Sequence, residues 1–182
     1  MTNTLLLLGS LSVCWLCTIM LWSIVVPSRR LWPVGHMTPV KTVLLWVPFL
    51  LLFGSVLGLG ALDWNSLGWN KTLRWGVGLP LFVIGHVIAY SGAFKLGYKS
   101  VSGEKDILQV DGFYRYSRNP QYTADIAIMV GWIIFSASLY ALPLALATIL
   151  LLILAPFSEE PWLRQVYGKP YIDYCKRVRR FL

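Results

Sequence analysis

Between Ile126 and Ser158 the chain runs for 33 residues without an Asp, Glu, Lys, Arg or His. One helix of that length would measure about 50 Å at ~1.5 Å per residue. The hydrocarbon core of a bilayer is only about 30 Å thick. The run therefore predicts two short spanning helices folded back on each other. The turn is expected at Ser136-Ala137-Ser138, and Pro143 suits the first turn of the second helix. A hairpin of this kind returns the chain to the side it left, and so brings two polar blocks to one membrane face. The first is Gly112-Phe113-Tyr114-Arg115-Tyr116-Ser117-Arg118-Asn119-Pro120-Gln121-Tyr122. The second starts with Ser158-Glu159-Glu160 and continues to Tyr171, Tyr174 and Arg177.

The rest of the chain is built for the same solvent. Hydrophobic residues make up 57% of it, against about 45–50% for soluble domains, and they come in long blocks. Leu5 to Val26 and Thr42 to Leu62 carry no charge, and Trp75 to Phe94 is interrupted only by His86. The expected fold is an all-α polytopic membrane protein of one domain with about five transmembrane helices. These lie near residues 5–26, 40–62, 74–94, 121–137 and 139–157, with a cytoplasmic loop over 95–120 and a tail over 158–182. Four spans would result if the hairpin were re-entrant. The first block is not read as a signal peptide. It is too long for an h-region, lacks a basic n-region and is followed by Arg29-Arg30.

Charge sets the expected orientation. Of 16 Lys and Arg, all but Lys71 and Arg74 fall in the segments that five spans place on one side. The positive-inside rule makes that side cytoplasmic, with the N-terminus outside and the C-terminus inside a bacterial inner membrane or an ER-type membrane. The net charge of +8 then reflects topology and anionic headgroups, and no nucleic-acid partner is expected.

Three cysteines do not make a disulfide framework. Cys14 and Cys17 form a C-x-x-C inside the first span with no further thiol or imidazole nearby, so they read as helix-packing residues and no metal site is expected. Gly54 and Gly58 form a G-x-x-x-G suited to close helix contact, and Gly76, Gly78 and Gly85 suit the same role in span three. No strand–glycine–helix unit occurs, which excludes a Rossmann-type domain. The first three spans read as scaffold. His86 is an intramembrane ionisable group, but without a partner in its own span it reads as a neutral imidazole hydrogen-bonded to a neighbouring helix. The segment Lys95 to Gln121 is long for a plain connector. The tail reads as two short amphipathic helices broken at Gly168-Lys169-Pro170, with Leu163, Val166 and Tyr167 on one stripe and Tyr171, Tyr174 and Val178 on the next. A surface anchor would not need Glu159-Glu160 at the end of span five. Two adjacent acids there call for cationic partners, and Arg115 and Arg118 are the candidates.

The pattern G-x-Y-R-Y-x-R-N-P-x-Y, a hydrophobic hairpin, E-E-x-x-L and then Y-G-x-x-Y-x-x-Y-x-x-x-V resembles the isoprenylcysteine carboxyl methyltransferase and phospholipid methyltransferase superfamily, over roughly Lys99 to Phe181. The resemblance implies an integral membrane enzyme using S-adenosylmethionine. It implies cofactor contacts at Asp106, Ile107, Leu108 and Gln109, then Tyr114, Asn119 and Tyr122, with Lys99 at a further polar contact. Arg118, Glu159 and Glu160 are the implied catalytic-region residues, with the glutamates closing the site from the C-terminal side. The implied partners are the bilayer and a lipid, prenylcysteine-like or other small hydrophobic acceptor.

Three departures bear on the substrate. The R-H-P of eukaryotic isoprenylcysteine enzymes is Arg118-Asn119-Pro120 here. An Arg that some of them carry four residues before the glutamate pair is Ala155, which argues against a carboxylate-bearing prenylcysteine. The Gly that often follows R-N-P-x-Y is replaced by Thr123-Ala124. Asp125 is unusual for a lipid-facing helix and is a candidate for the pocket wall.

Methyl transfer from a sulfonium donor asks mainly for positioning and exclusion of water. Tyr114, Tyr116, Tyr122 and Trp162 are suited to surround an adenine and a sulfonium. Asp106 or Gln109 suits ribose hydroxyls, Arg118 the donor's carboxylate, and Glu159 or Glu160 the proton of an amine acceptor. The competing readings are a sterol-reductase-like enzyme using NADPH, echoed by the Arg-x-x-Tyr motif and Asp125, and a non-catalytic membrane protein that keeps the fold for binding or assembly.

Overall fold

The computed structural model describes residues 1–101 and 107–181, and for residues 92–101 the backbone alone. It is all-α, with helices α1 (Thr2–Val25), α2 (Pro39–Leu62), α3 (Lys71–Leu73), α4 (Leu79–Val101), α5 (Pro120–Ser136), α6 (Ala141–Tyr167) and α7 (Lys169–Arg177). A π-helical segment, Arg74–Gly78, joins α3 to α4. Among the described residues, four helices are long and apolar enough to cross a membrane: α1, α2, the Lys71–Ser91 stretch and α6. At 17 residues, α5 is the short one, about 25 Å at ~1.5 Å per residue. Leu7, Leu11 and Val87 are about 60% exposed, and Leu50 and Leu146 more than half. In water such a surface would be a large aggregation liability; in lipid it is the solvated face.

Local signals explain the helix ends. Thr38 caps α2 by accepting from Lys41 N, with Pro39 at the first helical position. Asn70 caps α3 through Leu73 N. After Ser136 the chain turns at Ala137, which takes φ +47° in the left-handed region, and α6 starts at Ala141. Asp63 ties this turn to the α2–α3 connection. Its Oδ2 accepts from Ser138 Oγ at 2.7 Å, Ser66 Oγ at 2.7 Å and Tyr140 N at 3.1 Å. These bonds, led by that from Ser66, hold the Asp63 carboxyl below the usual carboxylate range.

Lipid offers helices no hydrophobic reason to associate, so packing depends on close backbone approach. A Cβ on Gly131 would sit 2.4 Å from Phe82 N, and one on Gly78 2.5 Å from Phe135 N. Gly85 faces α5 in the same way, 3.0 Å from Ala124 O. These three glycines let α4 and the π-helical segment before it lie backbone against backbone on α5. Gly54 and Gly76, expected at helix contacts, have nothing within 4 Å of a Cβ, and Gly58 meets only the side chain of Leu5. In α2 the tight glycine is Gly60, pressed on Trp132. The interior between α1, α2, α5 and α6 is filled by Leu52, Val56, Leu59 and Met129, all fully buried.

Two helices outrun their expected ends. α4 continues to Val101, so helix occupies the first part of the segment expected as loop from residue 95. α6 continues past residue 157 to Tyr167 through Pro156 and Pro161. Glu159 and Glu160 therefore lie on a continuous helix, and the Leu163-Val166-Tyr167 stripe is its last turn rather than a separate tail helix. Gly168, at φ +58°, breaks the chain into α7.

Candidate active site

Residues 178–181 run back from α7 along the Arg-Asn-Pro block. Arg118 N donates to Arg179 O at 2.8 Å, and Asn119 Nδ2 donates to Arg180 O at 3.0 Å. Ser117 Oγ also bonds Arg180 O, and it accepts from Asn119 N at 3.1 Å. The tail thus clamps the segment that enters α5. Tyr174 adds a bond from its hydroxyl to Tyr114 O at 2.6 Å.

Beneath this clamp lies a buried ion cluster. Glu160, only 4% exposed, accepts from Arg180 Nε and NH2, both at 2.8 Å. It also pairs with Arg118 NH2 at 3.2 Å. Arg180 rests 4.1 Å over the Phe157 ring. The hydrogen bond to Glu160 raises the Arg180 guanidinium further above its ordinary value. Burial, with the Glu160 charge second, raises the Tyr171 phenol. The Tyr174 phenol is pushed up to about 12, mainly by burial. Both phenols are neutral donors at physiological pH.

Glu159 has a different environment. Adjacent residues on a helix project about 100° apart at 3.6 residues per turn, so Glu159 turns away from the arginines into a cavity. Its Oε1 accepts from Tyr122 Oη, and from Trp32 Nε1 at 2.6 Å. The expected joint pairing of both glutamates with Arg115 and Arg118 is therefore divided. Arg118 pairs with Glu160, whereas Arg115 is exposed and paired with Asp111 at 3.2 Å.

The cavity, of about 230 Å³, is open between the polar blocks and the apolar helices. Ile107, Leu108, Gln109, Tyr114, Arg118, Asn119, Tyr122 and Glu159 all line it, as do Asp125 and Trp162. Tyr114 is neutral, its phenol raised by burial first and the Glu159 charge second. Asp125 makes no hydrogen bond among the described residues. Arg118 Nε is buried without a partner among the described residues. Lys99 and Asp106, expected at the cofactor, lie outside the residues whose side chains are described. Glu160 is not in the wall, and Tyr116 is 73% exposed away from it. His86 also lies elsewhere: its Nδ1 is 2.8 Å from Phe82 O of its own helix, not of a neighbouring one.

The first two spans, read as scaffold, also contribute to the cavity wall. Leu16 and Met20 of α1, Trp32 and Pro33 of the connection, and Leu45 and Phe49 of α2 form the opposite wall. Ala155, at the position where some isoprenylcysteine enzymes carry Arg, is buried in the α6 wall beside Leu151 and Leu152. These N-terminal residues carried no signal beyond hydrophobicity. Trp32, a large aromatic next to a proline in the α1–α2 connector, was not among the expected site residues; its place there is the one signal that could have found it.

No curated protein and no solved structure matches the chain. The phospholipid methyltransferase family (PEMT) matches it over residues 73–170, more than half its length. That stretch holds α4, α5, α6 and all the cavity residues from Ile107 to Tyr167. With four helices fit to cross a bilayer and this match, the chain is an integral membrane protein of the phospholipid methyltransferase family.

Proposed function

We propose that the chain transfers a methyl group from S-adenosylmethionine to a lipophilic acceptor at the cytoplasmic face of the membrane. The observation that carries this is the composition of one cavity. It joins the polar 107–122 segment and Glu159 to an apolar wall from α1, α2 and α6. A water-soluble donor and a greasy acceptor need such a two-faced site.

The residues present fit the donor. Arg118 lines the cavity, and its guanidinium, whose Nε has no partner among the described residues, suits a carboxylate. Tyr114, Tyr122 and Trp162 supply aromatic faces for an adenine and a sulfonium, and Gln109 offers polar contacts to a ribose. When bound, S-adenosylmethionine supplies a methyl carbon already activated by the positive sulfur. The protein's part is orientation and exclusion of water. Leu16, Met20, Leu45, Phe49, Leu151 and Leu152 hold an apolar chain. Ala155 supplies no cation there, which disfavours a free carboxylate acceptor. Glu159, fixed by Trp32 and Tyr122, stands where an acceptor's polar end would meet the methyl, and can take a proton from an amine. The basic segments and α7 are read as cytoplasmic, with the N-terminus outside.

The test is direct. Protein purified in detergent should bind S-adenosylhomocysteine saturably and NADPH not at all. In proteoliposomes it should pass label from methyl-labelled S-adenosylmethionine into a lipid extract, with mass spectrometry naming the product. Arg118→Ala and Glu159→Gln should abolish transfer. Binding of neither cofactor would sink the enzyme reading.

A further inference from the structure

The family match begins at residue 73, yet a cavity carboxylate is held from outside it. Trp32 lies in the α1–α2 connection, 127 residues from the carboxylate it reaches. Its presentation is built locally. Ser23, 2% exposed near the end of α1, accepts from Leu31 N and Trp32 N, both at 3.0 Å, and donates to Ile19 O at 2.7 Å. Trp22 Nε1 holds Arg29 O at 2.9 Å. Arg30 reaches over the connection to Pro33 O at 3.3 Å, and its guanidinium lies 5.8 Å over the ring of Trp162 on α6. The connection is thus fastened to α1 on one side and to the α6 cavity face on the other. An interfacial Trp of the common kind turns its N–H to headgroups and water. This N–H is spent on a carboxylate inside the protein.

We propose that Trp32 is a positioning residue for Glu159 in the transfer reaction, which rests on the reading of Glu159 as the acceptor-side group. Two donors from different elements, Tyr122 of α5 and Trp32 of the connection, converge on one oxygen. One donor would leave the carboxylate free to swing about that bond; two fix its rotamer and its plane. Alignment of reacting groups is where a site of this type gains its rate. The N-terminal helices therefore complete the site rather than merely support it.

Trp32→Phe keeps the ring and removes the N–H. In the full chain it should lower the turnover number for labelled-methyl transfer to lipid extract on the order of tenfold, with S-adenosylhomocysteine affinity unchanged and the melting temperature lowered by no more than about 2–6 °C. A ¹⁵N-indole spectrum gives a readout independent of turnover. The Trp32 resonance, assigned by its loss in Trp32→Phe, should shift in Glu159→Gln while the other indoles stay in place. Full turnover in Trp32→Phe, or an indole signal indifferent to Glu159→Gln, would overturn the proposal. So would a parallel loss of cofactor binding and melting temperature, which marks a scaffold residue. If wild-type protein binds no S-adenosylhomocysteine and transfers no methyl, the methyltransferase reading fails instead.

Discussion

Glu160 offers the sharpest test of how the tail and the Arg-Asn-Pro block are held together. Glu160→Gln preserves shape and removes one charge. Its side chain is 5% exposed, and the Arg118 side chain it faces is 11% exposed, so neither is rescued by water. Removing one partner of a buried ion pair costs about 3–5 kcal/mol, because the other charge is left uncompensated. Arg180 is 32% exposed and can rehydrate, so the low end applies, about 3 kcal/mol, with little added from Arg180. At about 2–4 °C per kcal/mol for a chain of this size, the melting temperature should fall by about 6–12 °C. Scanning fluorimetry in detergent reads this from the chain's nine tryptophans. The same reasoning makes a second demand. Glu160→Met combined with Arg118→Met leaves only the partly exposed Arg180 charge, and should recover most of the loss. A single variant that melts within about 2 °C of the wild type, or a double variant worse than the single, would refute the account of Glu160 as a buried clamp.

Three further outcomes follow from the same structure. Gly131→Ala drives a Cβ into the backbone of α4 and should destabilise by about 1–3 kcal/mol, whereas Gly54→Ala, with open space around it, should be neutral or slightly stabilising; thermal melts of the pair decide this. The folded-state pKa of Asp63 is depressed by its hydrogen bonds, so its stabilisation is present above the unfolded value near pH ~3.9 and is lost as pH falls through the folded value. Asp63→Asn should therefore melt lower than wild type at pH 7, with the gap closing below about pH 4; a gap constant with pH would contradict the assignment. For orientation, an impermeant maleimide should label Lys71→Cys in intact cells and Lys176→Cys only after permeabilisation; the reverse pattern would invert the topology.

Much of the fold was legible because spanning a membrane writes itself into composition. A span must be apolar and about 20 residues long, and an uncharged run of 33 admits few solutions. The turn after Ser136 and the pairing of Arg118 with the glutamate block both followed from length and charge. Helix ends were less legible. Val101 and Tyr167 lie in polar sequence that is equally compatible with helix or loop, and α6 runs on through Pro156 and Pro161, which a packed helix tolerates.

The sequence by itself determined the all-α class, the long apolar helices α1, α2 and α6, the hairpin and the meeting of two polar blocks, because these depend on hydrophobicity and chain length alone; it predicted about five spans, and four described helices are long and apolar enough to cross a membrane. Tertiary structure decided which neighbour each side chain meets. That choice depends on how each helix is rotated about its axis, and a step of one residue turns the side chain by about 100°. So Glu160 met two arginines while Glu159 met Trp32 and Tyr122, Gly131 was pressed on a backbone while Gly54 faced open space, and two helices that read as scaffold became a wall of the cavity.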